Sequence, residues 1–194
     1  FRSEIKKMIK ETKFITENDL KILKLAKKAK LNVSSVKYSK GHDADSMNLN
    51  LKIGNQIKAL VWDDSWGGGF EYQIHKSQDD LDEVMNVINS IIKEVGTYTY
   101  RNLEIEYSAD IIIDILIQNL NLEKKCKSKT IVQAIISDST ELEFDESNRH
   151  KLSISSFTYN VPFGDKRLSE EKIKADFEDG NFTHFEIINK RFGA

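Results

Sequence analysis

A chain of 194 residues with 39% hydrophobic side chains is long enough for one full core or two small lobes. One cysteine excludes an internal disulfide and the usual structural zinc sites, and no apolar run approaches the roughly 20 residues that span a bilayer, so a cytoplasmic protein with no membrane partner is expected. The net charge of −2 conceals a division: residues 1–40 carry 12 Lys/Arg against 4 Asp/Glu, and the remainder carries 17 against 27. A basic end on an acidic body can steer a phosphate-bearing or acidic partner, and it fits a pair of solvated helices equally well.

The chain opens on Phe1 rather than Met, so an upstream start residue or segment is expected. Residues 3–13 read as a short basic helix. Thr16, three residues before Asp19, caps a second helix with Leu20, Leu23, Ala26 and Ala29 on one face and Lys21, Lys24, Lys27 and Lys28 around it. The period then changes. "NVSSVKYS" is strand-like, and "MNLNLKI" alternates strictly, with Met47, Leu49, Leu51 and Ile53 on one side. Gly54-Asn55 is a two-residue hairpin turn, "QIKALVW" returns, and "FEYQIH" leaves a glycine-rich loop with Phe70, Tyr72 and Ile74 inward. Ser77 caps a helix whose apolar stripe runs from Leu81 to Val95, with Gly96 as its stop.

In the second half, "TYTYRNLEIEY" reads as one strand and "SADIIIDILIQNLNLE" as a heavily apolar helix. "TIVQAIIS", "TELEFDE" and "KLSISSFTYNV" are three more strands, followed by the short helix "SEEKIKADFEDG" and a last strand "HFEIINK". The expected fold is α+β: an antiparallel β-meander covered by helices, with two lobes of similar size. The divisions would be basic N-terminal helices at 1–31, a meander plus helix at 32–96, and a second α+β lobe at 97–194, the last two able to form one continuous domain.

Chemistry concentrates in "VWDDSWGGGFEYQIH", residues 61–75. Asp63 or Asp64 followed by Glu71 and Gln73 imitates a metal-dependent nuclease. Two carboxylates (Asp64 and Glu71) would hold Mg²⁺, and a third residue on the strand would position water, with His75 or Lys58 assisting. A solvated strand face accounts for Glu71, Gln73 and His75 just as well. Gly67, Gly68 and Gly69 could offer backbone N–H groups to an anion, or serve a hairpin needing positive φ. Trp66 on this acidic tip has the character of an aromatic anchor for a protein partner. Lys124, Lys125 and Lys127 could contact phosphate, or simply complement a helix C-terminus. Cys126 among these lysines is a weak candidate for a reactive thiolate.

Three stretches taken in order carry a resemblance: "MNLNLKIGNQIKALVWDDSWGGGFEY", "EKKCKSKTIV" and "FEIINKR". With them the chain resembles a loose set of uncharacterised proteins of bacteria, phages and plasmids. That set has an Asp-Gly-x-Gly-Gly-like hairpin loop, a Lys-rich helix end and an Asn-Lys-Arg ending. Ser65-Trp66 departs from the loop pattern. The resemblance implies an accessory protein of a mobile element and transfers no activity.

The expected function is a non-enzymatic binding protein of the inhibitor or immunity type, with no cofactor. It would engage a protein partner, or nucleic acid through the basic N-terminal helices. Its binding surfaces would be Asp63, Asp64, Trp66, Gly67, Gly68, Gly69 and Glu71, with Lys21, Lys24, Lys27 and Lys28, and Lys124, Lys125 and Lys127. The alternative is a divergent nuclease using Asp64, Glu71 and Gln73.

Overall fold

The strict alternation of residues 47–53 can bury only one side of a strand, and a first sheet forms around it. The computed structural model of the chain describes residues 9–40, 45–64, 68–136, 153–178, 180 and 182–193. Its architecture is α+β with mostly antiparallel sheets. The chain divides into two compact units, one of residues 17–99 and 103–120, the other of residues 1–16, 100–102 and 121–194. The divisions expected at 31 and 96 therefore fall elsewhere.

The first unit holds β2 (Leu31–Lys40), β3 (Asp45–Ile53), β4 (Gln56–Asp63) and β5 (Glu71–Ile74), hydrogen-bonded in chain order as an antiparallel meander. Gly54 at φ +59° turns β3 into β4, where Ile53 pairs with Gln56. Met47, Leu49, Leu51, Ala59 and Val61 are buried on one face. Three helices cover that face: α1 (Glu17–Lys28), α2 (Gln78–Val95) and α3 (Ala109–Cys126), the last through its residues 109–120. The stripe of α2 buries Val84, Ile88 and Ile91, with Ser77 capping its start and the Gly96 N–H bonded to the Ile92 carbonyl at its end. Ile22 and Ala26 of α1, and Ile112, Ile113, Leu116 and Ile117 of α3, complete the same core. Each such aliphatic contributes about 1.5–3 kcal/mol on burial.

Ile74, expected inward, is 50% exposed, because it ends a four-residue edge strand that no further strand extends among the described residues. The stretch 97–107 is not one strand. It folds back as β6 (Thr97–Tyr100) and β7 (Leu103–Glu106) about Arg101 at φ +50° and Asn102 at φ +67°. Two successive positive φ values make a tight hairpin turn without glycine, which the alternation does not reveal.

The second unit is a sheet in the order β1-β10-β8-β9, formed by β1 (Lys10–Glu11), β8 (Thr130–Ile136), β9 (Ile154–Tyr159) and β10 (Phe182–Ile187). The basic helix expected at 3–13 is overturned where the chain is described: Lys10 and Glu11 pair in parallel with His184 and Phe185. That partner lies more than 170 residues away, so local periodicity could not find it. The "TELEFDE" strand falls outside the described residues. The helix α4 (Glu170–Glu178) lays Ile173 and Phe177 on this sheet, where Phe157, Phe177, Phe182 and Phe185 cluster at 5.0–6.2 Å between ring centres.

After β10 a 3-10 helix (Ile188–Phe192) closes the unit. Asn189 is fully buried there. Its amide donates to the Cys126 and Lys129 carbonyls at 3.1 and 2.8 Å, and its oxygen accepts from the Ile131 N–H at 2.8 Å. Two of the stretches that carry the resemblance, 123–132 and 185–191, are thereby clasped together. The neighbouring residues are also structural. Arg191 pairs with buried Glu186, which accepts from the Phe14 N–H, and Lys190 bridges Glu11 and Glu170. No helix among the described residues is long and apolar enough to cross a membrane.

Asn189→Ala strips three backbone groups of their partner, and two or more of them stay dry. We expect a loss of about 2–4 kcal/mol in urea unfolding monitored by circular dichroism. An unchanged midpoint would show that the clasp is not what holds the end of α3 to the C-terminal segment.

Candidate functional site

The glycine loop is organised by a residue forty positions away. Asp110 stands in the first turn of α3, where Ser108 Oγ caps the helix. One Asp110 oxygen accepts the Phe70 N–H at 3.0 Å, and the other accepts the Tyr72 hydroxyl at 2.5 Å. Gly69 lies at φ +83°, and a Cβ there would sit 2.7 Å from Asp110 Oδ2. Glycine is thus required at 69 for two reasons, a left-handed backbone and the approach of a carboxylate. The carboxylate at this loop is the protein's own, and its donors are Phe70 and Tyr72 rather than the glycines. Gly68 is exposed with open space beside it, whereas Trp66 and Gly67 lie outside the described residues.

Of the nuclease carboxylates, Asp63 and Glu71 stand on opposite sides of the sheet. Asp63 pairs with Met47 and shares the inward side of β4 with Val61. Glu71 pairs with exposed Trp62 and projects, with Gln73, from the opposite side of the sheet. Asp64 follows the strand, half-buried, and His75 follows β5, exposed. No group of three His, Cys, Asp or Glu able to hold a metal ion occurs among the described residues. Lys58 does not assist there either. The pairing of Leu51 with Ala59 and of Lys52 with Ile57 leaves Lys58 as the extra residue of a β-bulge. It turns toward α2 and bonds Asp80 at 2.7 Å and Glu83 at 2.6 Å. The hydrogen bond to Asp80 chiefly raises the lysine's pKa, and the same bond lowers that of Asp80.

Three further groups are shifted. Burial, then the bond to Asp110, pushes the Tyr72 hydroxyl far above its ordinary range, so it stays a donor. Burial raises the Cys126 thiol against the opposing charge of Arg191, which disfavours the thiolate. Burial, then the charges of Asp110 and Asp63, raises Asp114.

The candidate lysines divide. Lys21 donates to the Glu94 carbonyl at 2.7 Å and so caps α2, while Lys24, Lys27 and Lys28 are exposed on α1. Lys124, Lys125 and Lys127 are exposed at the end of α3, in the other unit.

What the sequence reading passed over is the outer face of the meander. The register sets Lys37, Asn48, Trp62 and Glu71 side by side in one row across four strands, and Ser34, Asn50, Leu60 and Gln73 in the next. Trp62 is 44% exposed near the centre of this face, on a strand with neighbours on both sides. The signal was present in "ALVW": once Ala59 and Val61 point inward, Leu60 and Trp62 must point out.

Two outcomes test the loop's anchorage. Gly69→Ala should cost about 1–3 kcal/mol. In an Asp110→Ala background it should cost only about 1 kcal/mol, the left-handed backbone alone. Equal costs in both backgrounds would show that the two residues do not meet. For Asp114 the sign is as follows. A carboxyl with a raised folded pKa is penalised once ionised, so the penalty is absent below the unfolded value and full above the folded one. Asp114→Asn should therefore stabilise the protein at pH 7, by less than about 1 kcal/mol, since the group is only partly desolvated and water still screens it. That advantage should vanish as the pH falls below about 3.9.

Set against protein-family models, curated proteins and solved structures, the chain matches none of them.

Proposed function

We propose that the chain is a non-enzymatic binding protein whose recognition surface is the outer face of the meander. The observation that carries this is Trp62, exposed on the side away from the helices. An indole on open surface contributes nothing to the core, which is complete on the other side, whereas aromatic anchors of this kind dominate binding energies. Leu60 and Ile57, half-buried on the same outward side of β4, extend an apolar ridge between rows of amides. Glu71 belongs to this face. The resemblance to proteins of bacteria, phages and plasmids agrees with an accessory role of this sort.

Trp62→Thr keeps a good strand former while removing the anchor. With wild type and this variant as baits in a lysate, partners held by the wild type should be lost from the variant at an unchanged urea midpoint. Identical captured material from both would remove the face from the function. Nucleic acid incubated with Mg²⁺ or Mn²⁺ should stay intact, and Glu71→Ala should behave like wild type. Cleavage lost in Glu71→Ala would restore the nuclease alternative.

A further inference from the structure

We infer that the partner of this face is a single-stranded nucleic acid, an inference that rests on the binding reading above and supplies its ligand. Three features converge on it. Trp62 offers a large flat π surface, the group on which unpaired bases stack whatever their sequence. Asn48 stands directly beside Trp62 across the β3–β4 ladder, with Asn50 and Gln73 in the adjoining row. Each carries an amide that donates and accepts, the chemistry that reads base edges. Adjacent strands are about 4.8 Å apart, so the four-strand row spans roughly 14 Å, room for two or three splayed bases on an open antiparallel sheet.

The third feature is charge. Residues 20–40 contain seven lysines and no carboxylate. Those of α1 belong to a helix that opens on Glu17 and Asp19 and covers the inner face, so the outer face draws on β2, one edge of the sheet, where Lys37 stands in the same row as Trp62. Lys52 lies on the outer side of the neighbouring strand. At the other edge stands Glu71, beyond Trp62. A phosphate backbone is drawn to the β2 side and repelled from the β5 side, and that orientation turns the bases inward over Asn48 and Trp62. A duplex hides its base faces and cannot use the indole, so single strands are selected. A protein partner would find the same indole, but Lys37 and Lys52 on the β2–β3 side of this face favour a polyanion.

The test uses the full chain and fluorescently labelled 15-nucleotide single strands of mixed-sequence RNA and DNA, with the matching duplex, followed by anisotropy at 50 and 200 mM salt. Wild type should bind the single strands more tightly than the duplex, and more weakly at the higher salt. Trp62→Thr should bind about 10-fold or more weakly at both salts. Lys37→Gln should bind more weakly at 50 mM with a shallower salt dependence. Absence of wild-type binding at 50 mM salt, equal affinity for duplex, or undiminished affinity in Trp62→Thr would each overturn the inference. The first of these together with loss of lysate partners in Trp62→Thr would overturn the nucleic-acid ligand and leave the binding face standing. Undiminished behaviour of Trp62→Thr in both experiments would remove both.

Discussion

The carboxylate of Asp110 joins three pieces of chain that sequence keeps apart. Through Phe70 it fixes the end of the glycine loop, through Tyr72 the short edge strand, and through its own helix the start of α3. A four-residue strand with a single paired edge is weakly held by its ladder alone. Anchoring Tyr72 from the core side holds β5 in register, and by alternation that register sets Glu71 and Gln73 on the outside. A charge-assisted bond in a partly dry site is also stronger than an exposed one. The same carboxylate occupies the backbone donor and the hydroxyl that might otherwise have met a ligand. The loop that looked most like an active site is, in its described part, a joint.

The joint has an electrostatic cost. Asp63, at the end of β4, and Asp110 both repel Asp114. The acidic end of the meander thus concentrates negative charge on the side where β5 and the start of α3 meet, while β2 at the other edge continues the basic run of α1. Charge is sorted across the width of the sheet, which net charge alone conceals.

How much of this was legible depends on the range of each interaction. Met47, Leu49 and Leu51, the Gly54 turn and the stripe of α2 are local patterns, and the sequence displayed them. Lys58 was legible as a residue but not as a partner of Asp80, because a bulge inverts its side and nothing in "QIKALVW" marks the extra residue. The pairing of Lys10 with His184 and the clasp of Asn189 on the Cys126 and Lys129 carbonyls join chain ends and could not be read from any window. The glycine at 69 was visible, but its reason, Asp110, sits forty residues on. Trp62 is the opposite case. Its outward direction followed from strict alternation, and the more conspicuous aspartates and glycines beside it drew the eye away.

An exposed indole is informative because the fold has no use for it there. The helices satisfy the inner face completely, with Leu51, Ala59, Val61, Val84 and Ile88 almost or wholly inaccessible. A β-branched residue at 62 would serve the outer side of β4 as well without exposing an indole. Amides at 48 and 50 are likewise poor strand formers on a central strand, where valine or threonine would be favoured. Two positions in a central strand thus depart from local preference, both on one face and within reach of the exposed indole across the ladder. Departures from local preference that cluster in space are where a fold yields stability to recognition. Gly69, by contrast, is accounted for once Asp110 is seen.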